Sequence, residues 1–178
     1  MAYEIDQAHS LVEFSVKHMM VTTVKGRFKQ FSGTVHIDEA NPAASAVDVT
    51  IDTVSIDTSA EPRDNHLRSA EFFDAQQYPT ITFKSTKVEP KGDEKYHVTG
   101  DLTIRGITKP HTLEVTREGQ TTSMQGKQLQ AFSLNTRLSR KEFGLEWNVA
   151  LESGGWLVSD EVKIAVEAEV VEAVPAAV

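Results

Sequence analysis

Apolar and polar residues alternate with a period of two along most of the chain, the mark of β-strands with one buried face. In "SLVEFSVKHM", Val12, Phe14, Val16 and His18 fall on one side and Glu13, Ser15 and Lys17 on the other, so the apolar side ends in a polar residue. The pattern returns at Phe31, Gly33, Val35 and Ile37, and again at Val47, Val49 and Ile51. Val54 and Ile56 are one residue out of phase with that last set, which predicts a bulge or a break between strands. Further strands are expected at residues 81–85, at Tyr96, Val98, Gly100, Leu102 and Ile104, at Leu113 and Val115, at Phe132 and Leu134, and from Val162 to Val170. "IRGITK" reads as a tight turn around Gly106 joining two of them.

Strands this numerous and closely spaced, with few helical segments between them, predict an antiparallel all-β fold, either a sandwich or a barrel. One stretch breaks the rhythm. In "RDNHLRSAEFFDAQQYP" four charges and a histidine run directly into Phe72 and Phe73, with Asp74 just after; Asp64 is placed to cap a short helix with Leu67 and Ala70 on one face, and Pro79 to end what precedes it. The last residues, "VEAVPAAV" at 171–178, read as a frayed tail after a single domain over residues 1–170.

Length and composition narrow the class. A chain of 178 residues can bury a substantial core, and 39% hydrophobic with 25% charged residues is ordinary for a globular protein. Its formal charge of -8 and lack of a basic tract argue against nucleic acid and anionic membrane surfaces as partners. Apolar runs are too short for a spanning helix, and the start lacks a basic, then apolar leader, so the chain reads as cytoplasmic, or as exported if a leader has been removed. With no cysteine, disulfides and thiolate chemistry are excluded.

Catalytic patterns are weak. Asp64, His66 and Ser69 hold the residue types of a triad, but residues two apart on a helix point in different directions, and no glycine-flanked serine is present. The six histidines form neither an H-x-H nor an H-E-x-x-H pattern, so no metal is expected. The aromatic residues Phe14, Phe28, Phe31, Phe72, Phe73, Phe83, Phe132, Phe143, Trp147 and Trp156 either fill a core or line an apolar ligand space, and composition does not separate the two.

Read in order, "IDQAHSLVEFSVKHM", "VKGRFKQFSGTVHID", "SIDTSAEPRDNHLRSAEFFDAQQYPTITFKST", "VTGDLTIRGITKPHTLEV" and "LSRKEFGL" resemble the successive signatures of the YceI-like family of lipid- or polyisoprenoid-binding proteins. The resemblance runs from Tyr3 to about Val170. It implies an elongated, lipocalin-like antiparallel β-barrel of about eight strands with one or two short helices, a size that just holds one ligand. It further implies a homodimer without catalytic activity or cofactor, holding a polyprenyl phosphate, an isoprenoid quinone or another long amphiphile. Lumen residues are then expected among Phe14, Val16, His18, Phe28, Phe31, Phe83, Val98, Phe132, Phe143 and Trp147. The helical segment becomes a lid in which Arg63, His66 and Arg68 meet the head group while Phe72 and Phe73 face the tail. An equal alternative has Arg63 and Asp64 as a structural ion pair, and Arg140, Phe143 and Gly144 as a turn that closes the barrel. Two rival functions stay open: an enzyme using His18 or His66 as acid or base inside the lumen, and an interaction module whose barrel is filled.

Overall fold

A computed structural model of the chain describes residues 1–174. Eleven strands form one sheet: β1 (Ala2–Ile5), β2 (Leu11–His18), β3 (Thr22–Phe28), β4 (Phe31–His36), β5 (Ala46–Asp52), β6 (Ile56–Asp57), β7 (Thr80–Pro90), β8 (Lys95–Ile104), β9 (Ile107–Thr122), β10 (Gln128–Ser139) and β11 (Val158–Glu172). Three pairs are halves of longer staves. A 3-10 turn at Gln7–His9 interrupts β1 and β2, Lys29 and Gln30 separate β3 from β4, and a 3-10 turn at Thr53–Ser55 separates β5 from β6. That last turn is the break expected from the phase change at Val54.

Each stave is antiparallel to its chain neighbour, and β11 closes the ring on the first stave through Tyr3↔Glu172 and Val12↔Val166. The result is an eight-strand closed barrel in which, among the described residues, only the two-residue β6 has a single strand neighbour. The register keeps the apolar phase on one side: Val12 faces Phe28, Phe14 faces Gly26 and Val16 faces Val24, and across the seam Phe14 faces Ile164. Gly26 and Gly100 are inward positions at which a neighbouring ring takes the space of a side chain. A Cβ on Gly26 would stand 2.4 Å from the Phe14 ring, and one on Gly100 would stand 2.6 Å from Phe83.

The helix α1 (Glu61–Arg68) and the turns after it lie at the end of the barrel that also carries the Arg105–Gly106 hairpin and residues 140–157. Arg105 and Gly106 both adopt positive φ, as a tight two-residue hairpin requires. Phe72, Phe143 and Leu145 from these segments join Phe28, Ile56, Ile81 and Ile104 in a buried cluster that seals this base. Two expectations are corrected here. Asp64 is inside the helix, whose N-cap is Ala60, and Ala70 lies beyond its C-cap at Ser69. The expected tail begins inside the wall, since β11 runs to Glu172 and Ala173 N donates to Ala2 O; residues 175–178 lie outside the described residues. Among the described residues, no helix is long and apolar enough to cross a membrane.

Candidate functional site

A cavity of about 350 Å³ runs the length of the barrel. Its size lies within the ordinary range for small-molecule sites. The inward phase of every long stave contributes, as with Val12, Val35, Val49, Leu113, Leu134 and Val166. These residues point into the barrel yet remain only half-buried. In a filled core they would be buried, so the barrel is hollow.

The cavity is apolar along its middle and polar at its ends. Toward the end opposite the base, its walls include Asp38, Glu39, Ser45 and Arg117. Glu39 is mostly exposed although it lines the cavity, which makes this end the mouth. The Arg117 guanidinium donates to Glu39 Oε1 at 2.7 Å and to a Glu94 carboxylate oxygen, and reaches Gln130 Oε1 at 3.4 Å. The hydrogen bond to Glu94 raises the Arg117 pKa, and the same contact lowers that of Glu94.

At the base, Arg140 is buried and its four donated bonds go to backbone carbonyls: Ser159 O at 2.9 Å, Leu145 O at 2.5 Å, Trp147 O at 3.0 Å and Val158 O at 3.2 Å. Burial lowers its pKa, with Asp160 acting in the opposite direction. The 3-10 turn Arg140–Phe143 ends on Gly144 at φ 76°, so this segment is a turn that closes the barrel. Above it, His111 on β9 and Thr136 on β10 face the lumen, with His111 Nε2 2.7 Å from Thr136 Oγ1.

Of the residues expected to contact a ligand, Phe14, Val16, Phe28, Phe31, Phe72, Phe73, Phe83, Val98, Phe132 and Phe143 line this cavity. His18, Arg63, His66, Arg68 and Trp147 do not. His18 ends β2 at the hairpin outside the lumen. Trp147 packs behind Phe72, with ring centroids 5.3 Å apart, and His66 lies edge-on to both rings and pairs with the Glu71 carboxylate. The guanidinium of Arg68 holds Val54 O and Ile56 O, each at 2.9 Å, together with Asn65.

Arg63 and Asp64 do not pair directly. The Thr58 hydroxyl, buried between them, donates to Asp64 Oδ1 at 2.5 Å and accepts from Arg63 Nε at 2.7 Å, while Thr58 N also donates to Asp64. These three residues clamp the helix to the end of the third stave. Replacing Thr58 by Val keeps the shape and removes the hydroxyl, leaving Arg63 Nε without its acceptor and Asp64 with one donor fewer. The expected loss is about 2 kcal/mol, read as a lower thermal midpoint; an unchanged midpoint would show that the clamp is not structural.

Outside the barrel, Asp6, His9 and Glu169 bring carboxylate and ring atoms within 4.8 Å of one another. The hydrogen bond to Asp6 raises the pKa of the exposed His9, as in an ordinary surface ion pair.

The YceI-like domain model matches residues 3–170. The chain belongs to the YceI-like family. The YceI protein of Escherichia coli O157:H7 is 43% identical over 146 residues, which is 81% of this chain and 76% of that protein. Among solved structures, BcnA of Burkholderia cenocepacia superposes with a TM-score of 0.80 at 31% identity, covering 93% of this chain and 98% of that one. A polyisoprenoid binding domain from Saccharophagus degradans gives a TM-score of 0.68 over 94% and 97% of the two chains; at 18% identity it shows a shared fold. Within this YceI-like barrel, the sequence expectation passed over the polar ends of the lumen. The signal was there: His111 and Arg117 share the phase of Leu113 and Val115, and Thr136 shares that of Phe132 and Leu134.

Burial lowers the His111 pKa from its ordinary 6.5, and the charge of Glu142 offsets this only in part. The unfolded chain therefore takes up this proton first as pH falls. The stability contributed by neutral His111 is complete above pH 6.5 and declines as acidification approaches the folded-state pKa. His111→Phe removes this dependence, so the difference in thermal midpoint between variant and parent changes in favour of the variant on going from pH 8 to pH 5. A constant difference would place the imidazole in water. Asp6, Asp57, Glu89, Glu94 and Asp160 are also lowered, but from ordinary values near 4, so their contributions are lost at more acidic pH.

Proposed function

We propose that this protein binds an isoprenoid-like amphiphile, such as a polyprenyl phosphate or an isoprenoid quinone, within its lumen and serves as a carrier, store or sequestering protein for it. The observation that carries this reading is the hollow, apolar interior: half-buried Val, Leu, Ile and Phe residues line a continuous space of about 350 Å³. A tail burying about a dozen CH2-sized groups at ~0.8 kcal/mol each would gain on the order of 10 kcal/mol before ordering costs. No chemistry beyond apolar burial is needed for that gain. Membership of the YceI-like family supports the same reading, as does the name of the Saccharophagus degradans neighbour, which shares the fold. His18 and His66, which an enzyme reading would have used as acid or base, lie outside the lumen, and the histidine that lines it is His111, bonded to Thr136.

Mass spectrometry of the organic extract tests this proposal, comparing natively purified protein with the same protein after denaturation. The expected result is a stoichiometric isoprenoid lipid released on unfolding. An empty extract, from protein that also fails to take up added quinones and polyprenyl phosphates, would overturn it.

A further inference from the structure

The lumen's two polar ends differ in what they can offer a ligand. At the mouth, Arg117 is already held by Glu39, Glu94 and Gln130, and Asp38 adds a further carboxylate to the cavity wall. Two carboxylates already hold this guanidinium and Asp38 adds a third to the nearby wall, so an anionic head group there meets repulsion from them and finds its natural cation taken. At the base, four of the five N–H donors of Arg140 go to backbone carbonyls, so its charge is committed to the closing turn and at most one N–H is left for an anion, fewer than a phosphate needs.

His111 and Thr136 are different. Both line the lower lumen, near the base ends of β9 and β10, and their side chains bond to each other through His111 Nε2 and Thr136 Oγ1. His111 Nδ1 has no hydrogen-bond partner among the described residues. It is not sealed off either, since the one buried side-chain polar atom without a partner among those residues is Thr53 Oγ1. The pair's donor count follows from its chemistry. If Nε2–H donates to Thr136, the hydroxyl proton remains free; if the hydroxyl donates to Nε2, then Nδ1–H remains free. In either tautomer a neutral pair keeps one donor for the lumen, close to the sealed base.

We infer that His111 and Thr136 form the head-group subsite of the barrel, and that it selects an uncharged amphiphile bound head-inward, whose carbonyl oxygen accepts the pair's spare hydrogen bond. A prenylated quinone has this chemistry and a prenyl phosphate does not. The inference rests on the reading of the lumen as a lipid site and commits it to one head group and one orientation. Burial favours the neutral imidazole, in agreement with this role.

Three ligands with the same prenyl tail provide the test: a prenylated benzoquinone, the corresponding prenyl phosphate and the oxygen-free hydrocarbon, each titrated into the full chain with affinity read from tryptophan fluorescence and native mass spectrometry. The parent protein is expected to bind the quinone at least about tenfold more tightly than the phosphate or the hydrocarbon. The double variant His111→Phe/Thr136→Val, which removes both possible donors, should lose about that factor for the quinone and keep its affinity for the hydrocarbon, whose binding also reports that the barrel is intact. A phosphate bound as tightly as the quinone by the parent protein overturns the inference without any variant, as does a double variant with undiminished quinone affinity. In both cases the lipid-binding reading survives. If the parent protein takes up none of the three, the lipid-binding reading itself fails, and the inference fails with it.

Discussion

Val166→Trp is expected to abolish uptake of prenyl lipids while leaving the barrel folded. Val166 lies on β11 opposite Leu134 and Val12, points into the lumen and is only half-buried because the space before it is empty. An indole placed there extends into the cavity and not into packed neighbours. The overpacking cost of about 1–3 kcal/mol seen in filled cores should therefore be largely avoided. The same substitution at Val98 is a poorer plug, because Val98 is buried against Phe83 and Val88 and the ring would have to displace them. Circular dichroism and the thermal midpoint report the fold, and lipid titration reports the plug. Unchanged uptake by a folded Val166→Trp protein would show that the lipid does not occupy the lumen.

The second large effect is on stability. Arg140→Met keeps an unbranched apolar stem against the lumen and removes the guanidinium that gathers the carbonyls of Leu145, Trp147, Val158 and Ser159. Backbone oxygens left buried without donors are costly, and bonds to a charged donor are worth more than neutral ones, so a loss of about 3 kcal/mol is expected. For a chain of this size that corresponds to roughly 6–12 °C in thermal midpoint. Arg140→Lys should recover only part of the loss, because a single ammonium cannot reproduce the planar fork that reaches four acceptors. A midpoint unchanged in Arg140→Met would mean that the aromatic cluster alone closes the base. This arginine sits in the "SRKEFG" stretch, where the sequence offered a closing turn and no indication that one side chain would hold four carbonyls.

The case of Arg63, His66 and Arg68 shows how a local reading goes astray. Two arginines and a histidine beside paired phenylalanines look like a head-group site with its tail contacts. Arg63 is taken by Thr58, five residues back, and Arg68 by the carbonyls of Val54 and Ile56. Those acceptors come from a 3-10 turn, a two-residue strand and the residue just after it, a stretch that the sequence showed only as a phase change. The adjacent phenylalanines do face the cavity. β3 was missed for a related reason: "TTVKGRF" has a small residue, Gly26, at an inward position, which breaks the apolar alternation, and the Phe14 ring supplies the missing bulk.

By itself the sequence determined the wall of this protein: period-two apolar positions specify which face of each strand turns inward, because a slip of one residue would expose the whole set. It also determined that antiparallel strands dominate and that a short helix interrupts them. Three things were decided only by the tertiary structure. Whether the inward residues meet one another or enclose a space depends on the strand number and stagger of the closed ring, which no single strand encodes. Which polar groups remain free for a ligand depends on partners brought together from distant positions, as when Arg117 on β9 meets Glu39 from the far side of the mouth. The pairing of His111 with Thr136 arises in the same way, because β9 and β10 are joined by a hairpin whose register sets the two side chains within one hydrogen bond of each other.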